Sequence, residues 1–146
     1  MTQLLTRADL QAVSDQYLEA FKRRDPIAIA AFHTPGGIVE SPMFANLRGR
    51  KAIEDAQRAF FASFPDAAIS LEATVVDPPH VAMFVTINAT HVNEFFGLPG
   101  TGRHIEFRSC RLLRLEGDLI AHETRIYDFT GLLVQVGVLR AKPAKP

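Results

Sequence analysis

The chain has 146 residues, 47% apolar and 22% charged, enough for one folded domain around a single core and too few for a two-domain cofactor enzyme. Lys plus Arg and Asp plus Glu both number 16, so the formal net charge is zero and no overall field favours a phosphate backbone or an anionic membrane as partner. Eleven Phe, two Tyr and no Trp make one ring type the main bulky filler, either of an aromatic core or of a ring-lined cavity.

Leu10, Val13, Tyr17 and Phe21 recur at spacings of three and four, which predicts a helix over 7–24, with Thr6 and Asp9 as a capping box. Asp25-Pro26 reads as N-cap and first helical residue of a short helix, 27–33, ended by Pro35-Gly36-Gly37. A brief strand over 38–41 follows. Next comes a helix over 50–64, whose Ile53, Ala56, Phe60 and Phe64 share a face and which Pro65 stops. The period then changes to two, predicting strands over 69–75, 81–91, 104–115 and 119–129, with turns at Asp77-Pro78-Pro79-His80 and Glu116-Gly117-Asp118 and a loop over 95–102. Helices first and an antiparallel meander afterwards is the order of an α+β domain, with helices on one face of a curved sheet. No linker or repeat interrupts residues 1–146, so one domain is expected, with a frayed tail from about residue 140. Cys110 is the one cysteine and has no internal partner, the N-terminus lacks a secretory pattern, and no apolar run approaches the ~20 residues of a membrane span. A cytoplasmic location is the expectation.

Familiar chemical motifs are absent. There is no phosphate-cradling Gly-rich loop, no GxSxG elbow, and no HExxH or CxxC metal spacing, and the histidines are dispersed at 33, 80, 91, 104 and 122. The last strand is more informative. Counting by two from Ile120 sets His122, Thr124, Ile126 and Asp128 on one face and Ala121, Glu123, Arg125 and Tyr127 on the other. If Ile120 points inward, so does Asp128. A carboxylate inside an aromatic cavity has its charged form disfavoured, which raises its pKa towards general acid or base work, and His122 on the same face would share the proton. Equally open is a wet Asp128 that caps the turn into Thr130-Gly131.

Two C-terminal blocks carry a family resemblance. The run Ala89-Thr90-His91-Val92-Asn93-Glu94-Phe95-Phe96-Gly97-Leu98-Pro99-Gly100-Thr101-Gly102-Arg103 resembles the "GTHxGEFxGxPPTGR" segment of SnoaL-like polyketide cyclases, also called ester cyclases, in the nuclear transport factor 2-like superfamily. Tyr127-Asp128-Phe129-Thr130-Gly131-Leu132-Leu133 through Gln135 and Gly137 is similar to that family's closing "D-x-x-G-L-L-x-Q-L-G". Tyr17, Phe21, Asp25, Leu47-Arg48-Gly49-Arg50 and Phe64-Pro65-Asp66 also fit, so the resemblance covers nearly the whole chain. It implies a cone of helices and a strongly bent mixed sheet around a pocket, a homodimer, and intramolecular aldol ring closure without metal or organic cofactor. Asp128 takes the place of the family's acid/base aspartate. Departures are Ala89, Asn93 and Gly100 in the first block, and His122 and Thr124 where Glu and Trp are frequent. Ser41 stands before Pro42 where ketosteroid isomerases, distant members of the superfamily, keep an aspartate. Tyr17 matches the tyrosine of their oxyanion hole, and Arg111 occupies the position of their protonated acid.

The resulting expectation is a small cofactor-independent acid/base enzyme for an apolar, ring-bearing substrate. Asp128 and His122 would move protons, and Tyr17, Phe21, Phe60, Phe64, His91, Phe95, Phe96, Arg111 and Thr124 would surround the substrate. Tyr17 is equally readable as a core tyrosine, His91 as a structurally bonded histidine, and Phe95 and Phe96 as a lid or a dimer contact. The alternatives are a non-catalytic binding or dimerisation module of the same fold, and a hydrolase or dehydratase using the same pocket.

Overall fold

The computed structural model describes residues 4–140; the rest of the expected frayed tail, 141–146, lies outside the described residues. The first helix, α1 (Arg7–Lys22), begins where expected because Thr6 and Asp9 close a reciprocal capping box. Its Leu10, Tyr17, Leu18 and Phe21 are buried. The Asp25 carboxylate accepts from the Ala28 N–H and Pro26 sits in the first turn, which sets the start of α2 (Pro26–Ala31).

The next element differs from the sequence reading. Strand β1 runs from His33 to Ser41, straight through Pro35-Gly36-Gly37, and the expected helical end at His33 is instead a strand start. The ladder explains how. β1 pairs in parallel with the last strand and its register slips between His33 and Ile38, so Pro35 falls where a missing N–H costs no ladder bond. A second strand, β2 (Phe44–Arg48), was not anticipated. It folds back antiparallel on β1 and forms one sheet edge.

Helix α3 (Arg50–Ser63) is followed by the meander: β3 (Ala68–Asp77), β4 (His80–Thr90), β5 (His104–Glu116) and β6 (Leu119–Tyr127). The expected final strand stops two residues early. Asp128 instead caps a helix, α4 (Phe129–Val136), that ends on the left-handed Gly137.

The six strands form one curved mixed sheet in the order β2-β1-β6-β5-β4-β3, open between its two edges. β5 is the clearest product of its sequence: odd-numbered residues from Ile105 to Leu115 are buried and even-numbered ones mostly face away. Its buried side packs with α1 and α2 in one apolar cluster (Leu10, Ile29, Met83, Val85, Leu113, Ile120) and with α3 and α4 in another (Phe64, Ile87, Ile105, Phe107, Leu132). The cavity described next opens between these clusters. No described helix is long and apolar enough to cross a membrane.

Candidate active site

A narrow cavity opens between α1, α3 and the inner sheet face. Its walls are rings: Phe21 from α1, Phe44 from β2, Phe60 and Phe61 from α3, and Phe107 from β5. Against them stand Ser41, Gln57, Ser109, Arg111, Arg125 and Tyr127. An apolar space with a few gathered polar groups is the usual form of a small-molecule site.

Beneath the polar end lies a buried ionic cluster. Glu123 is fully buried, and Arg125 beside it is nearly so. The Tyr17 hydroxyl donates to Glu123 Oε1 at 2.5 Å, the Arg125 Nε–H donates to Oε2, and His33 Nε2 lies 3.5 Å from Oε1. Gln57, with its amide oxygen turned to Arg125, accepts from both Nη groups at 2.8 and 3.0 Å. Burial pushes Glu123 upward, but Arg125, then His33 and Arg111, outweigh it and hold the carboxyl well below the usual range. Burial and the Glu123 charge push the Tyr17 phenol upward, so it stays protonated and donates. Arg111 is 4% exposed and its guanidinium carbon lies over the Phe21 ring, 4.0 Å from the centroid; burial and the neighbouring Arg125 lower its pKa to about 10, which leaves it cationic at neutral pH. Tyr127 shares a hydrogen bond with Ser41 at 3.0 Å, and burial raises its phenol.

Of the residues expected to surround a substrate, Phe21, Phe60 and Arg111 line the cavity. Tyr17 lies one layer below, spent on Glu123. Phe64 is fully buried in the second apolar cluster. His91 is buried too and anchors the loop: Thr101 N–H donates to Nδ1 at 3.3 Å, and the ring packs on Phe64. Phe95 and Phe96 border a neighbouring surface hollow that shares Met43, Phe44 and Phe60 with the cavity; Phe95 is buried, whereas Phe96 is about half exposed.

The expected face of the last strand needs correction. β5 pairs Leu115 with Ile120 but Arg114 with His122, so Ala121 is an extra residue and every later side chain changes face. Glu123 and Arg125, not His122 and Thr124, therefore face inward. His122 Nε2 sits 3.1 Å from Glu40 Oε2 and the Thr124 hydroxyl donates to the same oxygen, both on the outer face. Asp128 is exposed, accepts from the Gly131 N–H at 2.8 Å as the α4 N-cap, and borders an outer hollow with Glu72 and Arg108. Missed by the sequence reading were Glu123, Arg125, Gln57, Ser41, Ser109 and Tyr127. The available signal was Glu123, Arg125 and Tyr127 at alternate positions, opposite a strand whose odd residues are apolar except Ser109 and Arg111. Among the described residues, no group of three or more His, Cys, Asp and Glu is placed to hold a metal ion.

Three variants test these assignments. Replacing Asp128 by Ala should cost about 1 kcal/mol in urea denaturation while Asp128→Asn, also a good cap, stays close to neutral; an Asn variant as weak as the Ala one would contradict the capping role. Glu123→Gln should cost about 3–5 kcal/mol by leaving Arg125 without its counter-charge. Because the folded Glu123 carboxyl lies below its ordinary value of 4.5, its stabilisation is complete above that value and is lost as the pH falls below it. Between pH ~7 and ~3 the wild type should therefore lose stability more steeply than Glu123→Gln, and parallel profiles would argue against the depressed carboxyl.

Comparison with known proteins places this geometry. A family model, the SnoaL-like polyketide cyclase, matches residues 11–136. A steroid Delta-isomerase from Nocardioides simplex is 37% identical over 70 residues, 47% of this chain and 54% of that protein, so the match spans about half of each. Among solved structures, AclR from Streptomyces galilaeus superposes with a TM-score of 0.83 at 22% identity, covering 95% of this chain and 87% of that one. TsrD from Streptomyces laurentii gives 0.80 at 24%, covering 92% and 99%. A protein of ketosteroid isomerase-like fold from Catenulispora acidiphila gives 0.73 at 17%, covering 90% and 97%. These likenesses establish the α+β cone shared by small cyclases and isomerases. With its match running from within α1 to the end of α4, the chain belongs to the SnoaL-like polyketide cyclase family.

Proposed function

We propose that the protein is a cofactor-independent enzyme of cyclase or isomerase type, acting on an apolar ring-bearing carbonyl compound held in the Phe-walled cavity. The observation that carries this reading is the Tyr127 phenol, fixed by Ser41 at 3.0 Å on the wall of an aromatic space that also bears Arg111. Burial keeps that phenol protonated, so it acts as a hydrogen-bond donor to a substrate oxygen. In ring closure, a C–H between two carbonyls gives its proton to water at the mouth, and the enolate carbon then bonds to a second carbonyl carbon. The new alkoxide takes that proton back from water at the mouth, so that no net proton is gained or lost. Negative charge sits on oxygen throughout, next to Tyr127 and in the field of Arg111. The same stabilisation serves a dienolate in double-bond migration. Tyr127→Phe should then lower kcat about a hundredfold, with KM little changed, in aldol closure of a polyketide-like methyl ester or in migration of a ketosteroid double bond. Asp128→Asn should leave kcat unaltered, and a large loss there would move the chemistry back to the strand end.

One observation favours a second reading. No carboxylate or imidazole lines the cavity among the described residues, so it lacks a conventional proton acceptor. A binding module would then hold the ligand without converting it; tight binding with no turnover of either substrate would select that role.

The partner for the outer sheet face is, on this proposal, a second copy of the chain. Cross-strand register lines up Phe84, Cys110 and Ile126, with Leu112 in the adjacent row, and Ile126 is 64% exposed. Glu72–Arg108 and Arg114–Glu116 pairs flank these residues, so both signs of charge border the patch and a two-fold copy meets complementary edges. Ile126→Lys should convert a dimer into a monomer in analytical ultracentrifugation, and a wild type that sediments as a monomer would refute the assignment.

A further inference from the structure

We infer that the cavity recognises a ligand bearing a permanent carboxylate on its ring system, held by Arg111 and Ser109. This rests on the aromatic-cavity reading above and adds a carboxylate to the features by which that cavity prefers one ring-bearing compound over another.

The charge count comes first. Arg111 and Arg125 both line the cavity, and Glu123 beneath them is the carboxylate that answers them. Its oxygens are taken: Oε1 by Tyr17, Oε2 by Arg125. Two guanidiniums against one carboxylate leave one net positive charge, and it falls on Arg111. Its Nε is buried and has no hydrogen-bond partner among the described residues. An uncompensated buried cation is costly, so an arriving anion recovers electrostatic energy that the empty site lacks.

Geometry supplies the second observation. The Arg111 guanidinium carbon lies over the Phe21 ring at the cavity wall, 4.0 Å from its centroid. Ser109 lies two residues earlier on the same inward face of β5, is 4% exposed, lines the same cavity, and its hydroxyl also has no partner among the described residues. Two residues that each carry an unsatisfied donor thus stand at alternate positions on one strand face. A carboxylate has two oxygens that only accept, and it matches a guanidinium edge and a hydroxyl with charge-assisted bonds. A neutral carbonyl oxygen can also accept two hydrogen bonds, but it leaves the charge unanswered. Across the ladder, Ser109 faces Tyr127 and Arg111 faces Arg125, so the carboxylate would anchor the ring system beside the Tyr127–Ser41 pair rather than on it. One net charge in an otherwise aromatic enclosure favours a monoanion over a phosphate.

Titration calorimetry of the full chain with naphthoate and its neutral isostere naphthamide tests this. The wild type should bind naphthoate at least about tenfold more tightly than naphthamide. That preference should vanish in Arg111→Gln and shrink several-fold in Ser109→Ala, whereas Phe60→Ala should weaken both ligands alike. If Arg111→Gln does not fold, the Ser109→Ala result decides. Equal affinities in the wild type, or a preference untouched in the folded variants, would overturn the carboxylate assignment. Binding of naphthamide as tight as naphthoate would still leave the aromatic-cavity reading standing, and binding of neither would overturn both.

Discussion

The architecture turns on one fully buried carboxylate. Glu123 ties Tyr17 of α1, His33 of β1 and Arg125 of its own strand together, joining the first helix and two adjacent parallel strands at one point. A carboxylate taken out of water costs several kcal/mol unless its lone pairs are met, and here both oxygens are. The apolar clusters on either side can be repacked with different side chains of similar volume, but this cluster admits little substitution, because removing any one partner strands the others. It also sets the chemistry above it. By claiming Arg125 for itself, Glu123 leaves Arg111 as the free charge of the cavity.

Glu123 reaches that position through a single added residue. Ala121 has no place in the ladder between Leu115–Ile120 and Arg114–His122, and the bulge it makes reverses the strand from there onward. Counting by two from Ile120 is a sound rule for a regular strand and gives the opposite face for a bulged one. The residue types do not warn of it, since each face of β6 carries both apolar and ionisable side chains. Only the partner strand could: β5 alternates without interruption over 13 residues, and its inward Arg111 stands opposite Arg125. Phe21 and Phe60 were legible because they belong to helices with unbroken periods, and Arg111 through the superfamily resemblance. Glu123, Arg125 and Tyr127 were not, because their direction depends on register, which is a property of two strands together.

Local signals succeeded where the physics is local. The capping box at Thr6, the Asp25-Pro26 start and the Asp77 to His80 turn each involve neighbours in sequence, and each stands where expected. Errors gathered where tertiary pairing overrides local preference. Pro35-Gly36-Gly37 ends an isolated element, yet it is carried into β1 because the sheet offers a register slip there. Phe44–Arg48 is too short to show a period and is held by β1 alone. Phe129 to Val136 continues the apolar character of β6, and the Asp128 cap that separates strand from helix is the same residue that the family motif singles out.

The family resemblance and the cavity thus emphasise different residues. The motif around Asp128 builds a helix start, and the loop motif around His91 builds an anchored turn packed on Phe64. Of the residues in these two blocks, Tyr127 lines the cavity, whereas Asp128 and His91 do not. What faces inward is Phe surface with one uncompensated guanidinium, and in such a low-dielectric enclosure a charge acts more strongly than in water. Zero net charge for the whole chain is consistent with this, since sixteen positive and sixteen negative side chains cancel in number but not in place. Fold stability and ligand recognition are assigned to two different arginines on facing strands. Arg125 completes the buried pair, and Arg111 is left to meet what enters. The second can therefore change with the ligand while the first is held by the fold.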